Sequence, residues 1–175
     1  MTSPNPDRYY VRLVAMKDLD QKTLAWAERA PLTVTGRATS TAAPEAVFAV
    51  LADHERWPEW FPNVKKVEVL GPAAGVGARR RVSIPGAAVE ELFIAWDVGE
   101  RWSFTGTGAK PGFVKALVED CILEPHGDGG TAITYSMHLE PAGPFAPLLK
   151  LASGALTKNL TKAMQALAAR AEARA

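Results

Sequence analysis

Ala43–Leu70 reads APEAVFAVLADHERWPEWFPNVKKVEVL, and its apolar period changes halfway along. Val47, Phe48 and Leu51 recur at helical spacing, so the first half predicts a helix with one buried face. Pro44 suits the first turn, where a missing N–H costs no hydrogen bond, and Thr41 is a candidate cap. The last residues alternate Val67 and Val69 against Lys66 and Glu68, which predicts a strand. Between the two, Trp57 and Trp60 stand three apart on one face of a second short helical turn, closed by Pro62. Trp57, Trp60 and Phe61 in one connection have two uses. They are stacking platforms for a ligand, or wedges that hold a helix on a sheet.

Upstream, Leu32–Thr41 is rich in β-branched residues and predicts a strand. Before it, DLDQKTLAWAERAP predicts a short helix capped by Asp18 or Asp20 and ended by Pro31. Asp7–Met16 is a strand or an arm lying on the body.

Downstream, short strands follow one another. ARRRVSI places Arg79 and Arg81 on one face and Val82 and Ile84 on the other. VEELFIAWDV alternates Leu92, Ile94, Trp96 and Val98 against Glu91, Phe93 and Asp97. After a tight GE turn, RWSFTG alternates Trp102 and Phe104. GTGAKPG reads as a mobile loop, with Phe113 just beyond it. FVKALVEDCILEP is apolar on both faces. HGDGG is the clearest hairpin turn. TAITYSMHLEP then sets Ile133, Tyr135, Met137 and Leu139 against Thr134, Ser136, His138 and Glu140. The chain closes on a helix from about Phe145 to Arg170, with an apolar stripe through Phe145, Leu148, Leu149, Ala152, Leu156, Leu160, Met164 and Leu167.

The 175 residues suit one domain able to bury a sizeable core. A formal net charge of +1 gives no general attraction to nucleic acid. Cys121 is the only cysteine, which excludes an intrachain disulfide and a thiolate metal cluster and fits a cytoplasmic protein. The start lacks the apolar core of a signal peptide. No apolar run reaches the ~18 residues a membrane span needs. The three histidines have no metal-ligand spacing, no dinucleotide, P-loop or nucleophile-elbow motif is present, and no cofactor is expected.

Strand, two short helices, about six consecutive strands and a long helix imply an α+β fold. Hairpin-joined strands give an antiparallel sheet, and the helical stripe covers its apolar face. Four stretches carry a resemblance to a known family. They are APEAVFAVLADHERWPEWFPNVKKVEVL, GVGARRRV, VEELFIAWDVGERWSF and LEPHGDGGTAITYSMHLEP, and the terminal LTKNLTKAMQALAARAE fits with them. Together they resemble the START-like, or SRPBCC, superfamily in its polyketide cyclase/dehydrase-like branch. The resemblance implies a helix-grip fold, a seven-stranded curved antiparallel sheet around the C-terminal helix with two short helices after the first strand. It covers 32–173, leaving 1–31 as an N-terminal extension with a short helix. It also implies a cavity for a hydrophobic small molecule, as lipid carriers, hormone receptors, aromatase/cyclases and quinone-binding proteins share this architecture.

In that frame the expected lining residues are Trp96, Phe104, Phe113, Tyr135, Met137, Leu149, Ala152 and Leu156. Gly154 would allow close approach to the helix. Trp57 is a structural wedge, with Trp60 or Phe61 at a cavity rim as the alternative. Arg80 shares a face with Val82 and would hold an anionic group if that face is inward. Glu119 and Asp120 interrupt an apolar strand. The outer face is the expected place for either charge, and the alternative is that one of them, which alternation does not choose, faces inward, where burial would raise its pKa. No inward pair of acid and base is evident, and no catalytic residue is assigned. The favoured function is binding of a hydrophobic small molecule, a lipid, quinone or polyketide-like compound. An aromatase/cyclase-type enzyme, a lipid- or quinone-binding accessory protein of a membrane complex, and a homodimer stay open.

Overall fold

The computed structural model describes residues 15–175. Apart from Ala15 and Met16, the Asp7–Met16 segment lies outside the described residues. The elements are β1 (Lys17–Asp18), α1 (Leu24–Ala27), β2 (Leu32–Ser40), α2 (Pro44–Ala52), a 3-10 turn (His54–Glu59), β3 (Lys66–Val69), β4 (Arg79–Ile84), β5 (Ala87–Asp97), β6 (Arg101–Lys110), β7 (Val114–His126), β8 (Gly130–Pro141) and α3 (Ala146–Glu172). The sheet runs β2-β8-β7-β6-β5-β4-β3, with every pair antiparallel and β1 attached to β6. Irregularities in register fall between Glu90 and Glu91, between Phe93 and Ala95, and between Val114 and Ala116. Such bulges sharpen local twist and bend a sheet. This is the helix-grip architecture the sequence implied, with the two-residue β1 as an eighth strand.

The long helix does not bury its stripe evenly. Leu160, Ala163, Met164, Leu167, Ala168 and Ala171 are buried, all in the C-terminal half. The helix crosses β2 at Gly36, where an added Cβ would meet the Leu160 carbonyl carbon at 2.5 Å. Gly154, the expected point of close approach, has nothing within 4 Å of such a Cβ. At Gly36 the backbone of β2 lies against the backbone of α3, an approach that leaves no room for a Cβ.

The N-terminal segment is tied down more than a capped helix would require. Asp20 N–H donates to Lys115 O at 2.8 Å and Lys22 N–H to Thr105 Oγ1 at 2.9 Å. The helix shrinks to the one turn of α1, whose N-cap residue, Thr23, makes no side-chain cap. Thr41 is not a cap either. Ala43 holds the N-cap position of α2, and Thr41 N–H goes to Glu172 Oε1 at 2.8 Å. GTGAKPG is not a loop, because Gly106–Lys110 lies within β6. Gly108 and Ala109 pair with β1 on one side and β5 on the other, so their backbone groups are used in the sheet.

Candidate functional site

The registers set one row of side chains on the concave face. Arg80 lies opposite Glu91, Glu91 opposite Gly106, Phe104 opposite both Phe93 and Glu119, and Tyr135 opposite Cys121 and Gly36. Since Gly36 touches α3, this face looks at the helix.

Arg80 is 0% exposed. Its guanidinium carbon lies 3.9 Å from the Trp57 ring centre, 4.8 Å from Trp102, and 5.4 Å from both Phe93 and Phe104. Its Nε donates to Glu91 Oε2 at 2.5 Å. A cation so far from water needs a counter-ion and polarisable neighbours, and Glu91 and the four rings supply both. Nη1 and Nη2 have no hydrogen-bond partner among the described residues. The same holds for Trp60 Nε1, Trp102 Nε1 and His54 Nε2.

Tyr135 donates its hydroxyl to Glu119 Oε2. Burial, with the Glu91 charge second, pushes the Glu119 carboxyl up to about 8. Burial also raises Tyr135, with Glu119 adding to it. Burial pushes Glu91 up while Arg80 opposes the shift. His54 stacks on Phe93 at 5.2 Å, and burial followed by the Arg80 charge lowers it to about 3. Around neutral pH the cluster therefore holds an arginine cation, a paired Glu91, a protonated Glu119 and a neutral imidazole.

The aromatic connection builds one wall of this cluster. In the 3-10 turn, residues three apart eclipse, and Trp57 and Trp60 are buried while Glu55, Arg56, Pro58 and Glu59 are exposed. Trp57 Nε1 donates to Leu51 O at 2.9 Å, locking the turn to the end of α2. Its ring packs on Trp60, Phe61 and Trp102 at 4.9, 5.1 and 5.3 Å. The segment is a joint, and its inner surface also faces the buried cation.

Phe104 and Tyr135, expected as lining residues, are fully buried within the cluster. Trp96 is half-buried at the α2 joint, edge-on to Phe48 at 5.6 Å. Met137, Leu149 and Leu156 are half-buried against the core. Phe113 is as well, and its carbonyl accepts Ala142 N–H at 3.0 Å where the chain turns toward α3. Ala152 is half-buried on α3. Arg80 and Glu119 face inward. Asp120 faces outward, bound by Arg101 at 2.9 and 2.7 Å and by Ser103 at 2.5 Å.

His54, Glu91, Phe93 and Trp102 complete the cluster and were not among the expected residues. The alternation expected in β5 fails at the irregularity between Phe93 and Ala95. Glu91 and Phe93 face inward before it and Trp96 after it, so Leu92 and Ile94 do not share Trp96's face. The three-residue spacing of Phe93 and Trp96 is the trace of that bulge in the sequence.

Two surface crevices lie apart from the cluster. One of about 590 Å³ lies between the start of α2 and the β5–β6 turn, and one of about 450 Å³ lies beside the β7–β8 turn. Among the described residues no group of histidine, cysteine or carboxylate side chains could hold a metal ion, and no helix is long and apolar enough to cross a membrane.

A curved antiparallel sheet gripping one long helix is a helix-grip fold, here with a buried polar cluster on its concave face. Residues 31–172 match the family model described as polyketide cyclase/dehydrase and lipid transport, and the chain belongs to that family. An uncharacterised protein of Mycobacterium tuberculosis is 32% identical over 148 residues, covering 79% of this chain and 88% of its own. Among solved structures, the Zhui aromatase/cyclase of Streptomyces sp. R1128 has a TM-score of 0.68 at 17% identity, over 82% of this chain and 94% of that one. A START superfamily protein of Mycobacterium smegmatis has a TM-score of 0.66 at 16% identity, over 82% and 99%. Both likenesses concern the fold.

Proposed function

We propose that this protein binds a hydrophobic small molecule bearing an oxygen function, in the cytoplasm, between the sheet and the N-terminal half of α3. The observation that carries the reading is the set of unpartnered donors at Arg80 and Trp102 beside a protonated Glu119. Each buried donor left unpaired costs about 1–3 kcal/mol, and folded proteins keep few of them. A ligand carbonyl, carboxylate or phenolate would satisfy several at once. Met137, Leu149, Ala152 and Leu156 offer apolar contact for the remainder. The cluster is buried, and we place ligand entry at the first turns of α3, which bury no residue. The family's description as lipid transport supports this chemistry.

A second reading has one observation in its favour. A carboxyl near pH 8, hydrogen-bonded to a phenol, has the pKa and partner that proton transfer beside a carbonyl requires. This would be cyclisation or dehydration of a polyketide-like substrate, in line with the family's description as polyketide cyclase/dehydrase. The name of the structurally similar aromatase/cyclase also mentions cyclisation.

Displacement of an environment-sensitive apolar dye by fatty acids, quinones and aromatic polyketides tests the binding reading. Wild type should bind dye and release it to at least one of these oxygenated ligands, and less readily to the matching hydrocarbon. Equal displacement by the hydrocarbon, or no dye binding, would remove the oxygen-recognising site. Turnover of a polyketide probe that disappears in Glu119→Gln, with displacement retained, selects the enzyme.

A further inference from the structure

The first turns of α3 carry a second apolar surface, directed away from the core. Leu148 is 60% exposed and Leu151 85% exposed, on the same turns whose Leu149 packs inward. Lys158 lies seven residues after Leu151 and Lys162 four further on, so all three share the outward face, with Lys150 at its flank. Lys150, Lys158 and Lys162 are exposed and pair with no carboxylate among the described residues. No acidic residue occurs between Ala146 and Ala171. Arg170, the remaining cation of the helix, is committed to Glu59.

We infer that this outward face of α3 docks on an anionic lipid bilayer, lying in its interface. The inference rests on the binding reading above, since it brings the turns that border the proposed ligand site to the membrane. Two bulky leucines at one end of a helix face and lysines along the rest match what an interfacial helix needs, an apolar foot and a row of cations at headgroup level. A protein partner would also bury the leucines, but the run of cations without a carboxylate selects a surface of uniform negative charge. The helix cannot span the bilayer, so the contact is peripheral and reversible.

Co-sedimentation with vesicles tests the docking. The full chain should pellet with phosphatidylcholine vesicles containing phosphatidylglycerol and remain largely in solution with phosphatidylcholine alone. Leu148→Ser with Leu151→Ser should lower partitioning by about tenfold or more. Each of Lys150→Gln, Lys158→Gln and Lys162→Gln should lower it by roughly fivefold, and added salt should act in the same direction. Failure to pellet with either vesicle, or unchanged partitioning of the leucine variant, overturns the proposal. So does a dimer that the leucine variant dissociates without any vesicle binding, which would make this face a contact between copies. Dye displacement in vesicle-free buffer is scored on the same samples. If it persists while vesicle binding fails, only the docking falls; if dye binding itself is absent, the ligand reading falls first.

Discussion

Hydrogen-bonded arginine–carboxylate pairs join neighbouring strands at Arg80–Glu91, Arg81–Glu90 and Arg101–Asp120, and the first and last, on opposite faces of the sheet, leave different groups unsatisfied. On the outer face Arg101 and Asp120 form a two-pronged contact at 2.9 and 2.7 Å, with side chains 37% and 9% exposed. Ser103 completes it, and water reaches the guanidinium. On the concave face Arg80 and Glu91 are joined through Nε alone, with side chains 0% and 5% exposed, and both Nη atoms are unpartnered among the described residues. The outer pair is closed upon itself, as a structural pair should be. The inner one keeps its strongest donors free among aromatic rings. Similar side chains therefore hold a fold together on one face and form a candidate binding site on the other.

The largest effect should come from breaking the inner pair. Arg80→Met leaves Glu91 buried without its cation and should destabilise by about 3–5 kcal/mol. Trp57→Ala, which removes the ring nearest that cation, should cost about 3–5 kcal/mol. Because the two side chains touch, the double variant should lose less than the sum. Replacing both members of the pair, Arg80→Met with Glu91→Leu, should recover most of the stability while dye displacement by oxygenated ligands stays lost. Chemical denaturation gives the stabilities. Recovery of both stability and displacement would show that the inner pair is only structural.

The pH response of the inner cluster comes next. Glu119 has a folded pKa of about 8, above its ordinary 4.5, so it stabilises the fold fully below about 4.5 and that contribution is lost as pH rises through about 8. Glu91, also pushed up by burial, acts in the same direction. His54 has the opposite sign. Held at about 3 against an ordinary 6.5, it stabilises above 6.5, and that contribution is lost as pH falls through about 3. Between pH 6.5 and 8 the carboxylate effect stands alone, and stability should fall by about 1.4 kcal/mol per pH unit for each proton linked. Glu119→Gln should flatten that slope. A wild-type stability that is constant from pH 6.5 to 8 would mean that Glu119 ionises freely and that the cluster is not sealed.

Tyr135→Phe should be milder, costing about 1–2 kcal/mol for one hydrogen bond, with displacement weakened or changed in selectivity. If instead a wild-type polyketide turnover collapses by orders of magnitude while binding persists, the phenol is part of a reaction. Arg101→Gln should be the smallest, about 1 kcal/mol or less, since its guanidinium remains in contact with solvent, and it should leave ligand displacement unchanged. A loss of binding there would erase the distinction between the two pairs.

Alternation along the chain was enough to place Tyr135, Ile133 and Met137 on one face, and to tie Arg80 to the face of Val82. The order of strands and helices, the shape of the Trp57–Phe61 connection and the stripe of α3 from Leu160 onward were equally legible, because each is a local period that burial on one side imposes. Leu148, expected in that stripe, is exposed instead. Glu119 and Asp120 were not separable. The outer residues Thr105, Val118 and Asp120 are buried as well, with Lys22 of the N-terminal segment bonded to Thr105, and a strand buried on both faces carries no alternation to read. The β5 bulge hid Glu91 and Phe93 by reversing the faces within one strand. Tertiary packing alone decided that Gly36 meets the helix while Gly154 meets nothing, and that α3 is clamped at one end and outwardly apolar at the other. It also brought His54, Arg80, Glu91, Glu119 and Tyr135 together from five separate stretches of chain. Long-range register sets such meetings, and no residue's neighbours in sequence carry it.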